Sequence, residues 1–349
     1  MNPLTAIIVD PEYYEYKKEF VNSNFDVRYY ITYDDEMSGE IFNGSRLMYV
    51  SALKNIKFEK VVVAMPLSPL LFLVNEFLLK LGVKEENIVL LFEKGQHYGC
   101  EDVFIACEDL KYKIQSNGEV MFTFRNHKFL LNTDNELYIL KEIFGFQCYN
   151  VYLPYSDLIV IDAGMNIGVA SIFFSGMKNV KKIYSYEPFP QTYERGVQNL
   201  SLNDLEDKVI PHCFGLSNRN ESFNVSYDES LKGLMSITRD NTQHIPDNAF
   251  EKTDIKVADV SEVFQELIHN HPDCKFLFKI DTEGSEYDMF HRLNETGLLR
   301  KADIYVLEWH NTESNHISQL ESIFQENNFM YHVIGFREDE TGMLIAMKA

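Results

Sequence analysis

The stretch IVIDAGMNIGVASIFF, residues 159–174, runs from an apolar strand through a glycine turn into an apolar helix. That layout points to an α/β sheet whose strand ends receive a ligand, because in open sheets of this kind ligands bind beyond the carboxyl ends of the strands. The turn reads D-x-G-x-x-x-G, with Asp162, Gly164 and Gly168 as its fixed points. A dinucleotide loop needs G-x-G-x-x-G, whose middle glycine lets the backbone approach a pyrophosphate. Here Met165 stands in that place, and Asp162 would set a carboxylate beside the phosphates, where a low dielectric makes repulsion costly.

S-adenosylmethionine carries no phosphate but a sulfonium and an ammonium, and Asp162 suits those charges. Glu187, 25 positions on and at the end of the next strand, KIYSYEP, has two acceptor oxygens for two ribose hydroxyls. Phe189 then lies within reach of an adenine ring. A glycine pair alone would be an ordinary strand-to-helix turn, but the two flanking acids favour a cofactor loop over that plainer reading.

Around this loop the chain alternates strands and helices. The first series covers residues 6–92: AIIV, VRYYIT, VVVAM and NIVLLF as strands, with helices expected at 12–21, 46–54 and 69–81. Short strands VMFTF and KFLLN and a helix at 135–144 follow. The second series begins at Leu158 and orders LIVIDAG, KIYSYEP, VIPHCFGLS, FLFKIDTEGSE and IYVLEWH as strands one to five. The expected division is therefore a small α/β domain over 1–97, a β-rich connector over 98–157, and a cofactor-binding domain over 158–349.

Composition narrows the function. The 349 residues carry a net charge of −21, a surface that repels DNA, RNA and anionic lipid. VVVAMPLSPLLFLV is broken by Pro66 and Pro69 and is too short to cross a bilayer, and no leader pattern opens the chain. Cys100, Cys107, Cys148, Cys213 and Cys274 show neither paired nor zinc spacing, so reduced thiols in the cytoplasm are expected. The 26 Phe and 20 Tyr suit sugar stacking, although core packing accounts for most of them.

VIDAGMNIGVASIFF, YEPFPQTYERGVQNLSLN, FGLSN, FKIDTEGSEYDMF and VLEWH follow one another as the motifs do in FkbM-family methyltransferases, which this chain resembles from about Tyr112 onward. The resemblance implies a Rossmann-like class I fold, a mostly parallel seven-stranded sheet with helices on both faces. It also implies S-adenosylmethionine as cofactor, and a hydroxyl of a sugar, glycan or related small molecule as acceptor. It assigns Asp162, Gly164, Asn166, Gly168 and Glu187 to the cofactor, and Lys279, Asp281, Glu283 and Glu286 to an acidic motif. Gly215, and Ala258–Asp259–Val260, depart from the family's usual residues. The N-terminal stretch resembles small Rossmann-like domains attached to polysaccharide-biosynthesis enzymes. Its AIIVD strand runs into PEYYEY without a glycine turn, so packing, homodimerisation or substrate presentation is expected of it rather than nucleotide binding.

Methyl transfer from a sulfonium needs in-line positioning and a base for the hydroxyl proton. Asp281 ends strand four, and Glu308 and His310 end strand five on one face, with Trp309 opposite. His310 is the expected base because an ordinary imidazole is mostly neutral at cellular pH, and a hydrogen-bonded structural histidine is the plain alternative. Lys279 shares a face with Asp281 and holds it ionised. A divalent metal on Asp281, Glu308 and His310 is the weaker reading, because no second carboxylate follows Asp281 at ligating spacing within the strand; no metal is expected. A nicotinamide oxidoreductase and a non-catalytic binding protein of the same fold are the rival classes. The missing middle glycine counts against the first, and the complete loop against the second.

Overall fold

The computed structural model describes residues 4–9, 11–33, 37–65, 74, 77–91, 110–115, 119–151, 153–227, 251–312 and 314–349. The chain divides into two compact units, Met1–Phe122 with Leu131–Leu137, and Thr123–Leu130 with Tyr138–Ala349.

The first unit is built on β1 (Leu4–Val9), β2 (Asp26–Thr32), β3 (Ile41–Phe42), β4 (Ser45–Arg46), β5 (Met48–Tyr49), β6 (Lys60–Ala64) and β7 (Ile88–Leu91). Five of these form a sheet in the order β5-β2-β1-β6-β7, parallel throughout, as apolar strands alternating with crossovers require. Helix α1 (Pro11–Asn24) buries Tyr14 and Val21 in one of the unit's cores. The helix expected over 46–54 is different in the structure: β4 and β5 occupy its start, and a short 3₁₀ helix, Val50–Asn55, takes the rest. Val50 and Leu53 are three apart and both buried, a spacing that the tighter helix serves as well as an α-helix does. Most of the helix expected over 69–81 lies outside the described residues. Strands β8 (Leu110–Ile114), β9 (Val120–Phe124) and β10 (His127–Leu131) and helix α2 (Asp134–Leu140) complete the N-terminal elements.

The second unit contains β11 (Leu158–Ala163), α3 (Val169–Ser175), β12 (Val180–Tyr186), α4 (Pro190–Ser201), β13 (Val209–His212), β14 (Gly215–Ser217), β15 (Glu221–Tyr227) and β16 (Glu251–Asp259). It continues with α5 (Val260–Asn270), β17 (Lys275–Ile280), α6 (Glu286–Glu295), β18 (Ile304–His310), α7 (Ile317–Glu326), β19 (Phe329–Ile334) and β20 (Thr341–Lys348). Seven strands form the main sheet in the order β13-β12-β11-β17-β18-β20-β19. The pairs from β13 to β18 are parallel, and β20 is antiparallel to both its neighbours. The mostly parallel seven-stranded sheet expected from the sequence is the one found.

The single strand expected at VIPHCFGLS is two. β13 belongs to the main sheet, the chain bends at Cys213–Phe214, and β14 pairs instead with β16 in a three-stranded sheet ordered β14-β16-β15. Alternation along the strands sets what each face can do. Ile159, Ile161 and Ala163 of β11 join Phe278 and Ile280 of β17, Tyr305 and Leu307 of β18, and the buried sides of α5, α6 and α7 in one core. Asp162 and Lys279 stand on the other face, opposite one another in the register of β11 and β17.

Candidate functional site

The turn after β11 is tied down at both ends. Gly164 N–H and Met165 N–H both donate to the Tyr186 carbonyl at the end of β12, at 3.0 and 2.9 Å, and Asp281 N–H donates to Ala163 O at 3.0 Å. Gly164 has φ +81°, and a Cβ built on it would lie 1.8 Å from the Asp281 carbonyl oxygen. No side chain fits there, so glycine is obligatory where the turn crosses the end of β17. Gly168, φ +86°, starts α3 from a left-handed residue. Gly196 on α4 was not singled out in the sequence: a Cβ there would meet Met165 Cε at 2.5 Å and Asn166 O at 2.9 Å, so its absence lets the helix seat against the turn.

Glu187 is 5% exposed and locks the turn from β12: Asn166 N–H donates to one carboxylate oxygen at 2.9 Å and Phe189 N–H to the other at 3.0 Å. Burial pushes its pKa up to about 7, and the two backbone donors and Lys279 oppose that rise. Asn166 itself adopts φ +52°, and its side-chain oxygen accepts from Ile167 N–H at 2.7 Å. Gly164, Asn166, Glu187, Phe189, Leu216 and Asp281 line a cavity, together with Gly215, Val257, Thr282 and Glu283. Phe189 is buried in its wall, 5.8 Å from the Tyr227 ring.

Asp162 lies elsewhere than the sequence suggested. It is fully buried beneath the turn and does not line the cavity. Its Oδ2 accepts from Ser171 Oγ at 2.5 Å, and its Oδ1 lies 3.3 Å from Lys279 Nζ. Lys279 Nζ also donates to Gly164 O at 2.6 Å and approaches Asp281 Oδ2 at 3.6 Å. Burial opposes the charge on Lys279, but Asp162 and Asp281 outweigh it and raise its pKa. The pair is a buried strut for the turn; period-two alternation explains it, since Asp162 faces away from the α5–α7 core and under α3.

Asp281 lines the other end of the cavity, and Glu308 and His310 come together beside it as the strand order requires, although neither of those two lines the cavity itself. Glu286 is fully buried and gathers four donors: Gly284 N–H at 2.8 Å, Thr282 Oγ1 at 3.2 Å, His310 N–H at 2.9 Å and His310 Nδ1 at 3.1 Å. His310 Nε2 then faces Glu283 Oε2 at 3.4 Å and Glu308 Oε1 at 3.8 Å. Burial alone would lower the pKa of His310; the hydrogen bond to Glu286 and the charges of Glu286, Glu283 and Asp281 raise it to about 9. The expectation of a mostly neutral ring is corrected by this surrounding of carboxylates. Burial and Asp281 push Glu308 up to about 7, and Thr341 Oγ1 donates to it at 2.8 Å.

Two residues here were not found from sequence. Tyr149, 3% exposed, donates to Asp281 Oδ2 at 3.3 Å across 132 positions, and its ring lies 5.6 Å from Lys279 Nζ. Glu142 is pushed up to about 7 by burial and by Glu308. Neither belongs to a local motif, so no sequence signal marked them. Among the described residues no helix is long and apolar enough to span a membrane, and Cys148, Cys213 and Cys274 are free; Cys100 and Cys107 lie outside the described residues.

The chain is similar to several known methyltransferases. Methyltransferase sdnD from Sordaria araneosa is 26% identical over 215 residues, which cover 55% of this chain and 81% of that protein. Methyltransferase 1 from Beauveria bassiana (strain ARSEF 2860) is 25% identical over 169 residues, 45% of this chain and 67% of that one. The crystal structure of methyltransferase FkbM from Methylobacillus flagellatus KT aligns with 99% of this chain and 90% of its own, at 11% identity and a TM-score of 0.40. Residues 162–331, which hold the turn, Glu187, the acidic loop and both strand ends, match the family model of the methyltransferase FkbM domain.

Proposed function

We propose that the chain transfers a methyl group from S-adenosylmethionine to a hydroxyl of a sugar, glycan or related small molecule. The observation that carries the cofactor reading is the joint of Glu187 with the glycine turn. A buried carboxylate spends one lone pair of each oxygen on the turn and keeps others toward the cavity, where ribose hydroxyls need acceptors. Gly164 presents backbone alone to the cavity, which suits a ligand lying close over the turn. Phe189 and Leu216 supply apolar wall for an adenine.

When bound, S-adenosylmethionine supplies a methyl on a positively charged sulfur, already activated for in-line transfer. In this reading Gly164, Asn166, Glu187 and Phe189 hold the nucleoside, and Gly168, Asp162 and Lys279 hold the turn. Asp281 orients the acceptor hydroxyl from the cavity wall. Glu308 takes its proton, since both ring nitrogens of His310 already face carboxylates. Several acceptor oxygens at one cavity end favour a polyhydroxyl acceptor, and the net charge of −21 disfavours a nucleic acid. Free thiols at Cys148, Cys213 and Cys274 favour action in the cytoplasm. The first unit keeps packing, dimerisation or substrate presentation as its proposed roles.

The test is incubation of the full chain with methyl-labelled S-adenosylmethionine and a panel of hexose glycosides, read by mass spectrometry. A methyl ether on one of them supports the reading. Label on lysine, cysteine or a nucleobase, with none on oxygen, overturns the acceptor class.

A further inference from the structure

We infer that Asp281, Glu283 and His310 form a site for a divalent cation, of the manganese or magnesium kind, at the reacting end of the cavity. Their ligand atoms all lie within 4.8 Å of one another, a spread that one ion can bridge. Two segments, the loop after β17 and the end of β18, deliver them. Asp281 follows β17, His310 ends β18, and Glu283, at φ +54°, turns back over the loop between β17 and α6. Asp281 and Glu283 also line the cavity, so an ion held there meets whatever the cavity binds.

The orientation of His310 is a second observation, independent of the carboxylate grouping. The ring is 3% exposed, and its Nδ1 is taken by Glu286, a residue fully buried and outside the ligand set. A carboxylate holding one ring nitrogen fixes the tautomer and turns the other nitrogen outward as a ligand, the usual support of a metal-bound histidine. That other nitrogen, Nε2, makes no hydrogen bond among the described residues and looks at Glu283 and Glu308 from 3.4 and 3.8 Å. Inside the protein a ring nitrogen so placed carries either a proton or a metal ion. Two carboxylates with one imidazole and open positions suit a hard divalent ion that also tolerates nitrogen, which favours Mn²⁺ over Ca²⁺.

The inference rests on the methyltransferase reading only for its purpose, which is to hold acceptor oxygens beside the methyl group. Its test does not depend on turnover. The full chain is stripped with chelator, dialysed and titrated with Mn²⁺, with the free ion followed by electron paramagnetic resonance. One bound ion per chain is expected, with nitrogen modulation from an imidazole in the electron spin echo of the wild type. Glu283→Gln and His310→Gln should each weaken binding by about tenfold or more. Binding of S-adenosylhomocysteine is measured on the same samples by calorimetry. Cofactor binding without Mn²⁺ binding, or Mn²⁺ bound without nitrogen modulation, overturns the metal site and leaves the methyltransferase reading standing. Mn²⁺ binding with the imidazole signature but without cofactor binding supports the site and removes its proposed purpose.

Discussion

Replacing Glu187 by Gln should weaken S-adenosylhomocysteine binding by about ten- to a hundredfold while leaving the fold intact. The carboxylate accepts Asn166 N–H on one oxygen and Phe189 N–H on the other, at 2.9 and 3.0 Å. An amide keeps one oxygen and sets an NH₂ against the second backbone donor. It also loses a charge-assisted acceptor for the ribose, each such bond contributing about 1.5–3 kcal/mol, and about 1.4 kcal/mol is a tenfold change in affinity. The pH dependence follows from the same group. Its folded pKa of about 7 lies above the ordinary 4.5, so the stability contributed by that proton is fully present below about pH 4.5 and is lost as pH rises from there through 7. A ligand that needs the carboxylate binds better as the proton leaves. Wild-type affinity should therefore rise roughly tenfold from pH 6 to pH 8, while the Gln variant stays flat over that range. Calorimetry at three pH values decides it. A flat wild-type profile, or a Gln variant with unchanged affinity at pH 8, would refute the assignment of Glu187 to the ribose.

Gly164→Ala should abolish cofactor binding and lower stability by about 2–4 kcal/mol, seen as a fall in Tm, because the new Cβ would lie 1.8 Å from the Asp281 carbonyl oxygen. Lys279→Met removes the partner of a fully buried Asp162 and should cost about 3–5 kcal/mol in urea denaturation; adding Asp162→Asn should restore part of it. Glu308→Gln should cut the transfer rate by roughly 10²- to 10⁴-fold with cofactor affinity nearly unchanged, and single-turnover kinetics beside calorimetry separate the two effects.

Much of this site was legible because its parts are local. The apolar run 159–174, its glycines and Glu187 fall within one β-α-β unit, where periods of two and 3.6 and the strand-end position identify them. Lys279, Asp281, Glu308 and His310 were placed correctly beside one another because parallel order puts β17 and β18 next to β11. Direction was harder to read than position. Asp162 has the same strand-end address as a cavity residue, but the pleat turns its carboxylate under α3 to Ser171. Sheet changes are also silent in an apolar run, so β13 and β14 looked continuous. The strand itself carries no second carboxylate after Asp281, and Glu283 lies in the loop beyond it, where a left-handed backbone carries its carboxylate back to His310. Tyr149 and Gly196 matter through contacts made by folding, to Asp281 and to the glycine turn, and no spacing rule reaches them.

The central claim is that the cavity between the glycine turn and Asp281 holds the methyl donor. Ultraviolet cross-linking of methyl-labelled S-adenosylmethionine to the full chain, followed by sequencing of the labelled peptides, tests it most directly. The account predicts label on peptides from the cavity wall, residues 164–189, 215–216 or 281–285, displaced by excess S-adenosylhomocysteine. Label confined to residues 4–91, or none above a heat-denatured control, would contradict it.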